Sequence, residues 1–191
     1  MLTHMKNIVL WAALSACAAS ALAQQAPAPA DFATSVKTQY NSNKGFILAS
    51  ATKMPDDAYG WRPNGLQSEL RTFGQMLAHI ANENNQVCSR LIGKPTPTPL
   101  DDSKGTFTKA EATKFLKDAF ALCDPVYNSL TNQSIVEMVK LPGRNNTTRE
   151  QPRGTSLIAN VAHSNEQYGM IMLYFGMKGL VPPSHERRAG Q

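Results

Sequence analysis

The sequence is poor in long apolar runs, cysteine, basic clusters and strand-like patterning, and each shortage excludes a class of protein. The one strongly apolar stretch, residues 8–14, continues in small residues to Ala23. A spanning helix needs about 20 mainly apolar residues, so no membrane span is predicted. Lys and Arg are scattered without a basic run, which argues against a nucleic-acid surface. Three cysteines are too few for a disulfide-built scaffold. Strand signals are weak: residues 135–141 form the one plausible extended segment, and no internal repeat is visible.

What is present begins with a processing signal. Lys6 precedes the apolar stretch, and Ala21-Leu22-Ala23 places small side chains where a signal peptidase reads. Residues 1–23 therefore read as a signal peptide. Leu14-Ser15-Ala16-Cys17 offers a second outcome, a lipobox ending the signal at residue 16 and making Cys17 a lipid anchor. Either route predicts an exported domain, periplasmic or secreted. Cleavage after Ala23 removes Lys6 and no acidic residue, taking the net charge from +5 to +4. Residues 24–31 (QQAPAPAD) read as a flexible linker, 32–184 as one domain and 185–191 as a polar tail.

Four helices are expected within that domain. The first, about 31–53, carries Phe32, Val36, Tyr40, Ile47 and Leu48 and stops at Met54-Pro55. A Pro/Gly-rich loop, 59–65, follows. The second, about 67–91, repeats Leu70, Phe73, Leu77, Ile80, Val87 and Leu91, and Gly93 with Pro95, Pro97 and Pro99 ends it. The third starts near Thr108, where Thr108-Lys109-Ala110-Glu111 matches a capping box, and runs past Pro125 to Val126. The fourth, about 153–177, carries Leu157, Ile158, Val161, Tyr168, Ile171, Met172 and Phe175. Four such helices suggest an all-α four-helix bundle, with links long enough to allow crossovers. Cys88 and Cys123 are either two buried thiols or one disulfide. If helices two and three ran antiparallel, the pair would stand about 17 Å apart at ~1.5 Å per residue. A bond therefore requires those helices to run parallel.

Histidine supplies the candidate chemistry. His185 falls in the polar tail, but His79 and His163 sit inside helices two and four among core positions. A buried imidazole needs a partner for each nitrogen, so the two are either separately hydrogen-bonded or share a metal ion. Glu83 lies four residues after His79, and Gln167 four after His163, each one turn along the same face; Glu166 is a further candidate. Two imidazoles with oxygen donors suit zinc, nickel or iron(II). Glu83 and Glu166 read equally as bases or as exposed helix charges. Trp61 and Arg62 either line a pocket mouth, with Arg62 holding an anion, or anchor the loop. Tyr168 and Tyr174 read as core or interface, and the Met- and aromatic-rich surface of helix four suggests a homodimer.

Met54-Pro-Asp-Asp-Ala-Tyr-Gly-Trp-Arg-Pro63, Arg71-Thr-Phe-Gly-Gln-Met-Leu-Ala-His79, Asn160-Val-Ala-His163-Ser-Asn-Glu-Gln-Tyr-Gly169 and Lys178-Gly-Leu-Val-Pro-Pro-Ser184 together resemble the DinB-like family across 32–184. That resemblance implies an up-down-down-up bundle, with helices two and three parallel. It also implies a divalent metal on three histidines, one on helix two and two spaced by four on helix four. His79 and His163 match; Gln167 stands where the third would be. The expected metal set is therefore His79, His163, Gln167 and Glu83. The resemblance implies either a metal-dependent hydrolase or thiol transferase acting on a small molecule, or a non-catalytic envelope bundle with a degenerate site.

Overall fold

Asp31 opens the first helix by accepting the Thr34 amide on its carboxylate, an N-cap that holds even though no acidic residue follows in the first turn. The computed structural model describes residues 31–63, 70–143, 145 and 147–189. Residues 1–23, expected to form a signal peptide with its lipobox-like Leu14–Cys17, and most of the expected linker lie outside them. Helix α1 (Phe32–Lys53) ends where Met54 turns extended before Pro55, as the residue before a proline must. Helices α2 (Phe73–Leu91) and α3 (Lys109–Asn128) each begin at a capping box, Thr72 with Gln75 and Thr108 with Glu111. A hairpin of β1 (Met138–Pro142) and β2 (Thr148–Pro152) leads into α4 (Arg153–Met177), and α5 (Pro183–Ala189) follows.

Side-chain contacts give the helix directions. The Ala33 amide meets Asn132, Tyr40 meets Asp124 and Lys109 meets the Met54 carbonyl, so α1 and α3 are antiparallel. Asn43 donates to the Val161 carbonyl and Phe46 stacks on Tyr168, so α1 and α4 run the same way. Gly74 faces Phe107, and Cys88 is bonded to Cys123 with Cα atoms 5.3 Å apart, so α2 and α3 are parallel. Asn84 meets Asn160 and Arg71 meets Tyr174, which sets α2 against α4 antiparallel. The result is a four-helix bundle of up-down-down-up topology. The parallel arrangement required for a bond between Cys88 and Cys123 is the one found.

The core is aromatic at its centre. Tyr40 and Tyr127 stack at 3.8 Å with Phe120 edge-on to Tyr40, and a second buried group of Phe73, Tyr174 and Phe175 packs at the start of α2. Each phenol is satisfied: Tyr40 donates to Asp124 at 2.9 Å and Tyr127 to the Leu157 carbonyl at 3.0 Å. Burial, reinforced by the Asp124 charge, pushes the Tyr40 phenol far above its ordinary range.

Several boundaries differ from the sequence expectation. Helix α2 starts at Phe73 rather than near Gln67, because Thr72 and Gln75 cap each other and residues 70–72 stay outside the helix. The expected extended segment 135–141 is a short 3-10 turn followed by β1. Its partner β2 carries almost no apolar alternation, which is why it was not foreseen. The expected polar tail is helical to Ala189. It is pinned where Lys53 pairs with Glu186 and the Ser184 amide donates to Tyr168. Phe32 and Ile158, both expected in the core, are exposed, each standing off the face its helix turns inward. Helix α3 continues through Pro125 to Asn128. Among the described residues no helix is long and apolar enough to cross a membrane.

Candidate functional site

The antiparallel pairing of α2 and α4 brings His79 and His163 face to face. Their Nε2 atoms lie 3.0 Å apart, with ring planes at 70°. The opposite nitrogen of His79, Nδ1, lies 2.6 Å from the Asp102 carboxylate, and Arg71 reaches the same oxygen at 3.5 Å. The chain Arg71–Asp102–His79–His163 therefore forms one polar line running from the edge of the bundle into the α2/α4 interface.

Asp102 is held there by the link between α2 and α3, which straps along α2 on both sides of His79. Four residues before the histidine, Gln75 donates to the carbonyls of Ser103 and Gly105. Three residues after it, Asn82 donates to the Leu100 carbonyl and accepts the Leu100 amide. Between these clamps Asp101 folds the strand back by accepting from Ser103 and Lys104. Those hydrogen bonds, the Ser103 hydroxyl first, hold its carboxyl below the usual range. Gly105 completes the turn, since a Cβ there would stand 2.5 Å from the Asp101 carbonyl.

These contacts set the tautomers. A carboxylate only accepts, so Nδ1 of His79 carries its proton toward Asp102 and Nε2 presents a lone pair to His163. His163 then donates from Nε2, and its Nδ1 is buried without a partner. Burial lowers the His163 pKa, the neighbouring His79 lowers it further, and the charges of Glu83 and Glu166 partly oppose this. A metal at the facing Nε2 atoms would require the His163 proton on its unpartnered Nδ1 instead, leaving both Nε2 lone pairs free.

Of the residues singled out in the sequence, His79 and His163 are brought together. Glu83 is partly buried one turn along α2, close enough for its charge to act on His163. Glu166 is exposed, and Gln167 is partly buried one turn past His163. Among the described residues no three His, Cys, Asp or Glu side chains converge as metal ligands, because Asp102 occupies the far nitrogen of His79 instead of the shared face. Trp61 packs edge-on against Tyr174 with Lys178 over its ring, and Arg62 donates to the Leu70 carbonyl, so the loop is anchored by both. Tyr168 and Tyr174 are buried core residues and His185 is exposed. Asp102 and Arg71 were not anticipated as site residues. Asp102 lies in a Pro-rich link with no periodicity, and its one visible signal was a pair of adjacent acids.

Comparison with known proteins agrees with this architecture. A DinB-like protein from Bacillus cereus superposes with a TM-score of 0.60 at 13% identity, covering 80% of this chain and 96% of the other. A conserved protein from Enterococcus faecalis gives 0.50 at 12% identity, over 76% and 98%. A histidine-to-alanine variant of the mycothiol-dependent maleylpyruvate isomerase gives 0.52 at 13% identity, over 73% of this chain and 59% of that larger protein. At such identities the likeness is one of fold. No curated protein matches the chain. The family model described as the DinB superfamily matches residues 47–171, from the last third of α1 to the buried Ile171 of α4 and through both histidines, and the chain belongs to that superfamily.

Proposed function

We propose that His79 and His163 hold a divalent metal, zinc, nickel or iron, and that the site acts as a metal-dependent hydrolase or thiol transferase on a small molecule outside the cytoplasm. The observation that carries this is the Asp102–His79 contact at 2.6 Å. Carboxylates on the far nitrogen of a ligating histidine are the usual outer partners of protein-bound metals, fixing the tautomer and raising ligand basicity. The donor set fits in part: two imidazoles present Nε2 to one another at 3.0 Å, and Gln167 and Glu83 lie one turn along their helices. A bound divalent ion would acidify a water or thiol. The residues themselves orient His79 through Asp102, keep His163 neutral through burial, and place the Glu83 carboxylate where it can take up a proton.

The location outside the cytoplasm is supported by the signal-like residues 1–23 and by the Cys88–Cys123 disulfide, since such bonds persist in oxidising compartments. Exposed Leu173 and Met177 on α4 favour a homodimer. A second reading, a non-catalytic envelope bundle with a degenerate site, is favoured by the absence of a three-ligand cluster among the described residues.

Metal analysis of the purified protein, beside His79→Ala and His163→Ala, decides between them. Near-stoichiometric metal lost in both variants supports the metalloenzyme. No metal after reloading with zinc, nickel or iron(II) refutes it and leaves the degenerate bundle.

A further inference from the structure

A cavity of about 210 Å3 opens between α2, α4 and the hairpin. Glu83 on its wall lies four residues beyond His79, and Ala159 four before His163. The two helices are antiparallel, so both steps lead the same way along one interface, and the cavity begins one turn from the histidine pair. Three charged residues line it: Glu83 and Arg90 from α2, and Arg149 from β2. Among the described residues none of the three has an ion-pair partner.

Beneath these charges lie two buried amides with an unused end. Asn160, 1% exposed, donates through Nδ2 to Asn84 Oδ1 and to the Tyr127 oxygen, both at 3.0 Å. Asn84 in turn donates to the Ile80 carbonyl at 2.8 Å, so its own oxygen must face Asn160. The network therefore fixes which way round the Asn160 amide sits. Its Oδ1 is turned away from the core partners and is buried without a hydrogen bond. Gln151, 8% exposed, bonds Ser156 at 2.6 Å through one end of its amide and leaves the other end buried and unpartnered. Buried acceptors without donors are destabilising and uncommon, and both of these residues line the cavity.

We propose that this cavity is a subsite for a small zwitterion of the amino-acid kind. Its ammonium would be held by the Glu83 carboxylate, and its carboxylate by Arg90 and Arg149, above the buried Asn160 and Gln151 amides. Paired guanidiniums match a carboxylate's geometry and charge. A plain anion would leave Glu83 unserved, and a plain amine would leave both arginines unserved. The size agrees: the cavity holds about seven waters at ~30 Å3 each, below the range of drug-sized pockets. The inference deepens the proposed function, since a ligand anchored here would extend its other end toward His79 and His163, but the binding itself requires no metal.

Calorimetry and thermal shift on the purified protein in chelator test it. Glycine, L-alanine, L-serine and L-glutamate serve as probes, with acetate and methylammonium as half-ligands. At least one amino acid should bind saturably at millimolar concentration, with each half-ligand weaker by about tenfold or more. Arg90→Ala/Arg149→Ala, on the exposed rim and folded by circular dichroism, should weaken amino-acid binding by about tenfold or more. His79→Ala/His163→Ala should retain it, so a failed metal site and a failed subsite give different results. No binding of any amino acid to the folded wild type, or unchanged binding in the arginine variant, overturns the proposal.

Discussion

Removing the Cys88–Cys123 bond should cost this protein a large part of its stability, and the size follows from the position of the bond. The two residues are 35 apart in sequence and join α2 to α3. In the chain-entropy model, closing a loop of that length removes about 4 kcal/mol of freedom from the unfolded chain. Both sulfurs are fully buried, so Cys88→Ala/Cys123→Ala also leaves small voids, and about 4 kcal/mol is a lower figure for the variant. For a domain of this size each kcal/mol shifts Tm by roughly 2–4 °C, so the midpoint should fall by roughly 8–15 °C. The assay is urea and thermal unfolding by circular dichroism, with wild type that has been unfolded in reductant and refolded as a second arm. Reduced wild type should lose about 4 kcal/mol and the variant at least as much, because both lose the constraint and only the variant adds voids. A loss under about 1 kcal/mol would refute the reasoning, and would mean that the cysteines are not joined or that the unfolded chain is already compact.

Three further outcomes are expected. Gly154→Ala should destabilise by about 1–3 kcal/mol in urea titration, because the new Cβ would stand 2.6 Å from Ile135 Cγ1 and 2.9 Å from its carbonyl; an unchanged midpoint would show that this corner yields freely. In chelator, stability should fall as pH drops below about 6.5, the ordinary His value. His163 has a lowered pKa in the folded state, so the unfolded chain takes up the proton first and acid favours unfolding. That loss should shrink in His163→Gln, and an identical pH profile in the variant would show that His163 is not its source. Asp102→Asn should leave the fold intact but weaken metal binding by about 10–100-fold in competition titrations, through loss of the His79 partner; unchanged affinity would remove Asp102 from the site.

Sequence and tertiary structure govern this protein over different ranges of force. Local forces wrote the helices into the sequence. Apolar spacing of three and four predicted α1, α3 and α4, the Thr108–Glu111 pair marked the start of α3, and Gly93 with its prolines marked the end of α2. The motifs around His79 and His163 pointed to the family and to both imidazoles. Tertiary structure decided which residues face them. Asp102 reaches His79 from 23 residues away, because Gln75 and Asn82 clamp an aperiodic link against α2, and no local pattern encodes that reach. The hairpin strand β2 was equally hidden, since TREQP gains its extended form from pairing with β1 and lacks apolar alternation of its own. The fate of the cysteines depended on helix direction, a property of the whole bundle. Periodicity is a property of neighbours in sequence. A site is a property of neighbours in space, and only the packed chain determines those.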